Sequence, residues 1–201
     1  MSSTENTSQP ENLPWKINPF DIPEPFDYSK PGRPIRIGCI YTQDDIFSHE
    51  KPMELSVQIP FGISIIASLL KEEGHNVDLF VLTVDTYKPI LKEYIENKSP
   101  DLICATSVSS QFWIVSQVLK EIKTLDPNIF IFLGGHHASL APDHAIKFPF
   151  VDAICVGEGD EAVKQVAYKI SKNKPVRKIT NTWIKLSDGI IEKNDRVPFE
   201  Q

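Results

Sequence analysis

The sequence predicts one doubly wound α/β domain with a parallel five-stranded sheet, strand order 2-1-3-4-5, and a C-terminal β-hairpin extension. Three observations lead there. Short apolar runs alternate five times with stretches of helical period between Ile35 and Lys172. The runs are continuously apolar, so helices cover both faces of the sheet, as parallel strands require. Parallel neighbours need right-handed crossovers, which leaves few strand orders open.

Residues 1–34 stand apart from this pattern. Pro10, Pro14, Pro19, Pro23, Pro25, Pro31 and Pro34 block helix and ladder hydrogen bonds, so a disordered tip and an extended arm are expected. Trp15, Phe20, Phe26 and Tyr28 interrupt the prolines and call for a surface to pack on, either the chain's own domain or a neighbour. The α/β domain is expected over 35–173, and a hairpin and linker toward a further domain over 174–201.

Within the domain, strand one is expected over 35–41, followed by a long loop to Pro60. A helix over 61–73 carries Ile63, Ile66, Ala67 and Leu70 at helical spacing and stops at Gly74. Strand two spans 77–82 and helix two 87–97, with Leu91, Tyr94 and Ile95 on one face. Strand three covers 102–106, and helix three covers 111–125 until Asp126-Pro127-Asn128 breaks it. Strand four covers 129–133 and is closed by Gly134-Gly135. A short helix over 142–148 begins at a proline, where the missing N–H costs nothing. Strand five spans 151–156 and the last helix 161–172. Two further runs, 179–186 and 190–192, flank Ser187-Asp188-Gly189, a strong hairpin signal. The whole reads as a flavodoxin-like sheet.

Composition narrows the function classes. With 41% hydrophobic and 24% charged residues, 201 residues can bury an ordinary core. A net charge of −6 without a dense Lys/Arg stripe argues against nucleic acid as a partner. No apolar window reaches the roughly 18 residues of a membrane span. The N-terminus has no basic n-region or apolar h-region, so the expected location is the cytoplasm. Cys39, Cys104 and Cys155 each fall in a strand and read as core residues, with a redox or metal role as the alternative. Their spacing forms neither a zinc knuckle nor an iron–sulfur motif.

In an open α/β sheet, ligands bind beyond the carboxyl ends of the strands. That edge carries Thr42-Gln43-Asp44-Asp45, Ser107-Val108-Ser109-Ser110, Gly134-Gly135-His136-His137 and Gly157-Glu158-Gly159-Asp160. The glycines allow close approach to the backbone and the hydroxyls are adaptable hydrogen-bonding groups. A dinucleotide GxGxxG, a P-loop and a GxSxG elbow are absent. Thr106-Ser107 stands where a receiver domain needs its phosphoacceptor aspartate. Without a nucleophile–base pair, a self-sufficient catalytic site is not expected.

Five segments carry a family resemblance. Pro60-Phe61-Gly62-Ile63 opens the first helix and Lys71-Glu72-Glu73-Gly74-His75 closes it. Ser107-Val108-Ser109, Gly134-Gly135-His136-His137 and Gly157-Glu158-Gly159-Asp160-Glu161 follow strands three, four and five. Together, over roughly 35–170, they resemble the cobalamin (B12)-binding domain at the N-terminus of class B radical SAM enzymes. The resemblance implies cobalamin as the cofactor, with its nucleotide tail inserted between the sheet and a helix. The implied cofactor-binding set is Tyr41, Thr42, Gln43, Ser107, Val108, Ser109, Gly134, Gly135, His136, His137, Gly157, Glu158 and Gly159. In it the glycine pair lets the tail pass the backbone, Ser107 and Ser109 offer hydroxyls, and Gly157 and Glu158 line the other side.

Each feature also has a plainer reading: a tight turn for Gly134-Gly135, a helix cap for the serines, helix-dipole complementarity for Glu158 and Asp160. Adjacent His136 and His137 could reach a metal only with further ligands, and Asp143 and His144 are their nearest candidates in sequence. His75 reads as a surface residue, and His144 has no assignable role.

The familiar DxHxxG, whose histidine ligates cobalt, is missing after strand one. The loop reads Asp44-Asp45-Ile46-Phe47-Ser48-His49-Glu50, which implies a base-off state without a histidine ligand from this loop. The CxxxCxxC of a radical SAM domain is also missing, so that domain and its iron–sulfur cluster are expected in a partner, in cis or in trans. The implied role is that of a cofactor module for methyl transfer or radical chemistry. The competing reading is a degenerate domain that keeps the fold, binds no cobalamin and acts as a scaffold.

Overall fold

In the computed structural model, five parallel strands run in the order 2-1-3-4-5, as expected, and two more extend the same sheet. The parallel strands are β1 (Arg36–Thr42), β2 (Asn76–Leu82), β3 (Leu102–Thr106), β4 (Phe130–Gly134) and β5 (Ala153–Cys155). Strand β6 (Thr182–Lys185) lies antiparallel to β5, and β7 (Ile191–Lys193) lies antiparallel to β6. The hairpin therefore belongs to the main sheet. The structure describes Phe26 and residues 32–43, 47–48, 51–52 and 61–196. Trp15, Phe20, Tyr28, Asp44, Asp45, His49 and Pro60 lie outside the described residues. Phe26, from the proline-rich arm, packs edge-on against Tyr168 at 5.8 Å and lies 5.2 Å from the Lys169 ammonium.

Alternation along the strands sorts the core into two layers. Ile37 and Cys39, Leu102 and Cys104, Phe130 and Phe132, and Ala153 and Cys155 face helices α1 (Phe61–Glu72) and α6 (Asp160–Ser171). Ile40, Ile103, Ile131, Leu133 and Ile154 face α2 (Tyr87–Lys98) and α3 (Phe112–Leu125). All three cysteines are buried in the first layer. Helix α1 ends as expected: the His75 N–H reaches back to the Leu70 carbonyl and the Gly74 N–H to Lys71.

Several local expectations are corrected. A short helix, α4 (His136–Leu140), lies between the end of β4 and α5 (Pro142–Lys147), where the sequence pattern predicts no element. Five residues are too few to show a helical period. A 3-10 turn, Ser109–Gln111, precedes α3, and no side-chain cap bond holds that helix start. The run expected as a strand from 179 pairs only from Thr182, because Lys178 and Asn181 have left-handed backbones. His75 is half-buried, and its Nδ1 accepts the Ile35 N–H at 3.5 Å.

Candidate functional site

The sheet and the first turns of α1 and α6 enclose a cavity of about 540 Å³ at the carboxyl edge, within the usual range of about 300–1,000 Å³ for small-molecule sites. Its floor is Cys104, Thr106, Phe132, Gly134 and Cys155, and α1 adds Phe61, Ile63 and Ile66. Strand alternation explains the void. Phe130, Phe132 and Gly134 share one face of β4, and glycine stands where a third large side chain would fill the space. A Cβ on Gly134 would meet nothing nearer than Cys155 Cβ at 3.8 Å. The site is therefore a cradle open to a guest.

Gly135 plays a different part. Its φ is +89°, and an added Cβ would fall 2.5 Å from Thr106 Oγ1 and 2.7 Å from the Ser107 carbonyl oxygen. The chain's own packing requires this glycine, whatever binds. The pair is thus split between room for a ligand and room for the β3 terminus.

Of the residues chosen from sequence, Tyr41, Val108, Gly134, Gly135, His136, Gly157, Glu158 and Gly159 line the cavity. The others lie off it. Thr42 follows Ile40 on the opposite face of β1; it is buried, and its hydroxyl has no partner among the described residues. Gln43 is held by its N–H to the Leu82 carbonyl, 2.9 Å away. Ser107 is buried, donating its hydroxyl to the Val108 carbonyl at 2.9 Å. Ser109 meets His137 Nδ1 at 3.1 Å. Thr106, one residue before Ser107, borders the cavity instead.

The adjacent histidines separate for a geometric reason: successive residues of a helix point about 100° apart. His136 borders the cavity, whereas His137 turns under α4 and stacks on Phe112 with ring centroids 4.0 Å apart. His137 Nε2 lies 3.0 Å from His144 Nδ1, which gives His144 a structural partner. Of the two facing nitrogens, His137 Nε2 and His144 Nδ1, one carries the proton and the other the lone pair that accepts it. Burial, and then the neighbouring His144, hold the His137 pKa below its ordinary value. The folded state therefore binds fewer protons than the unfolded state as pH falls. Stability should fall as pH drops through the ordinary histidine value, about 6.5, and go on falling until the lower folded pKa is passed. Urea midpoints between about pH 5 and 8 should show this slope, and His137→Gln should make it shallower, leaving the part owed to His75, whose pKa burial also lowers. An unchanged slope in the variant would remove His137 as a cause.

The Cys155 thiol donates to the carbonyls of Gly157 and Glu158 at 3.6 and 3.4 Å. Burial, reinforced by Glu158 and Asp160, pushes its pKa up to about 12. It is therefore a protonated thiol at neutral pH, neither a ready nucleophile nor a ready metal ligand. Among the described residues, no group of three or more His, Cys, Asp or Glu could hold a metal ion. No helix among them is long and apolar enough to cross a membrane. The cofactor-binding set implied by the sequence leaves out Thr106, Ser139, Asp160 and Arg196, all of which border the cavity. Ser139 accepts the Gly157 N–H at 3.0 Å and ties α4 to the loop after β5. The arrangement is suited to holding a ligand, with apolar walls, a polar rim and the N-termini of two helices at its border.

The family model matching this chain is that of the B12 binding domain, over residues 56–167. Among curated proteins, an uncharacterized methyltransferase of Pyrococcus horikoshii is 28% identical over 122 residues, covering 60% of this chain and 26% of that protein. Among solved structures, the radical S-adenosylmethionine methyltransferase TsrM of Kitasatospora setae, with cobalamin and a [4Fe-4S] cluster bound, has a TM-score of 0.67 at 18% identity. That match covers 84% of this chain and 30% of TsrM. The cobalamin-dependent S-adenosylmethionine radical enzyme OxsB, with aqua-cobalamin and S-adenosylmethionine bound, has a TM-score of 0.65 at 16% identity, covering 83% of this chain and 23% of OxsB. At these identities the structural likeness is one of fold. The chain spans between 21% and 29% of the length of the curated relatives it matches.

Proposed function

This chain belongs to the B12-binding domain family, and from that membership we propose that it binds cobalamin as the cofactor module of a radical SAM methyltransferase or related radical enzyme. The observation that carries the reading is the cradle at Gly134, an internal space that the chain leaves unfilled beside the strand ends. On this reading the nucleotide tail enters between the sheet and the α1–α6 pair, and Thr106, Gly134, Gly157 and Gly159 hold it. Tyr41, His136 and Glu158 stand at the rim, toward the rest of the cofactor.

Bound cobalamin supplies a cobalt centre that carries and releases alkyl groups, and the protein positions it and excludes water from the tail. A tail held in the cavity keeps its base away from cobalt. The absence of DxHxxG after β1 and the turning of His137 away from the cavity both support a base-off state without a histidine ligand.

A partner domain completes the reading. Phe61, Val84, Val108, Trp113 and Leu140 are exposed around the carboxyl edge, with Phe61 at 73% and Leu140 at 79%. Apolar side chains gathered around a binding site mark an interaction surface. A radical SAM domain, in cis or in trans, would cover this edge and hold the iron–sulfur cluster. Equilibrium dialysis against hydroxocobalamin checks the cofactor reading. One equivalent retained is the expected result, and none retained would leave the scaffold reading.

A further inference from the structure

We propose that Arg196 anchors the phosphodiester of the cofactor's nucleotide tail and so selects complete cobalamin over tail-less corrinoids. This rests on the cofactor reading above. Topology brings the residue there. Two successive antiparallel steps, β5 to β6 and β6 to β7, return the chain to the edge where β1–β5 end. The exit is pinned to that edge by hydrogen bonds. The Val156 N–H donates to the Asn181 carbonyl at 2.7 Å, and the Asn181 N–H donates to the Asp195 carbonyl at 2.9 Å. The Asn181 amide also donates to the Glu158 carbonyl at 3.0 Å. Residue 196 is thereby delivered to the cavity wall.

At that wall the guanidinium lies against Gly157. A Cβ there would stand 3.2 Å from both Nε and Nη2 of Arg196, so the missing side chain makes room for the cation. Arg196 borders the cavity, is exposed, and forms no ion pair with a carboxylate among the described residues. It therefore adds a free, fork-shaped donor to a cavity onto which the N-termini of α1 and α6 also open. Guanidinium donors and helix N-termini both favour a phosphate. Glu158 and Asp160 share the rim, but both are exposed, and water screens their opposing charge.

The test compares wild type with Arg196→Gln and Arg196→Lys, by equilibrium dialysis against hydroxocobalamin and against cobinamide, which lacks the nucleotide and its phosphate. The expected result is a roughly tenfold loss of cobalamin affinity in Arg196→Gln, the size of one charge-assisted hydrogen bond in water. Arg196→Lys should recover part of it, and cobinamide affinity should be equal in all three proteins. Equal cobalamin affinity in wild type and Arg196→Gln, or an equal loss for both ligands, would overturn the assignment while leaving the cofactor reading intact. A wild type that binds neither ligand would overturn both. Because Arg196 is exposed, the variants are expected to keep the wild-type urea midpoint.

Discussion

Gly134→Leu should weaken cobalamin binding by about a hundredfold, the consequence of forcing a side chain into space a ligand needs, while the protein stays folded. Gly134 sits in β4 opposite Thr106, and its added Cβ would have only ordinary contacts. A leucine there points into the cavity, in line with Phe130 and Phe132. Dialysis gives the affinity, and a urea midpoint gives the fold. Binding as tight as wild type in a folded Gly134→Leu protein would place the ligand somewhere other than this cavity. The neighbouring glycine cannot serve the same purpose. Any side chain at Gly135 collides with Thr106 and the Ser107 backbone, so loss of binding in such a variant would report a damaged β3–β4 edge.

The largest expected loss of stability lies at the opposite end of the sheet. The Asp152 carboxylate accepts the Ile131 N–H at 2.7 Å and pairs with the Lys123 ammonium, also at 2.7 Å. Its backbone carbonyl accepts the Lys185 N–H at 2.8 Å, so this one residue ties together β4, α3 and β6. Burial pushes the Asp152 pKa up, and Lys123 acts against that shift. Asp152→Ala leaves the Ile131 amide without its acceptor and takes the carboxylate from a largely buried ammonium that keeps only the Pro127 and Ile129 carbonyls, which should cost about 3 kcal/mol. Asp152→Asn keeps an acceptor for Ile131 and should cost less. Urea unfolding of the two variants checks the order. Equal stability of Asp152→Ala and wild type would show that the pair contributes nothing.

The strands were legible in the sequence because both faces of the parallel sheet are covered, which leaves unbroken runs such as 102–105 and 129–133. The rim of the cavity was legible for the same reason: each run ends in glycine or a small polar residue where the chain turns. Side-chain direction beyond those ends was not. Ser107 and Thr106 differ by one position, yet one is buried against its own chain and the other borders the cavity. His136 and His137 diverge because a five-residue helix too short to leave a period rotates them apart. The His137–His144 contact joins two short helices through a turn that no hydrophobic pattern announces. Arg196 was invisible because its position depends on where the hairpin docks. The Asp188-Gly189 turn signals a hairpin but says nothing about which edge receives it.

The most direct test of a cofactor module is the visible spectrum of the protein after incubation with hydroxocobalamin and desalting. Corrin absorbance should travel with the protein. On reduction to the cob(II)alamin state, the band should lie at the shorter wavelength of a base-off form. A colourless protein fraction would contradict the account.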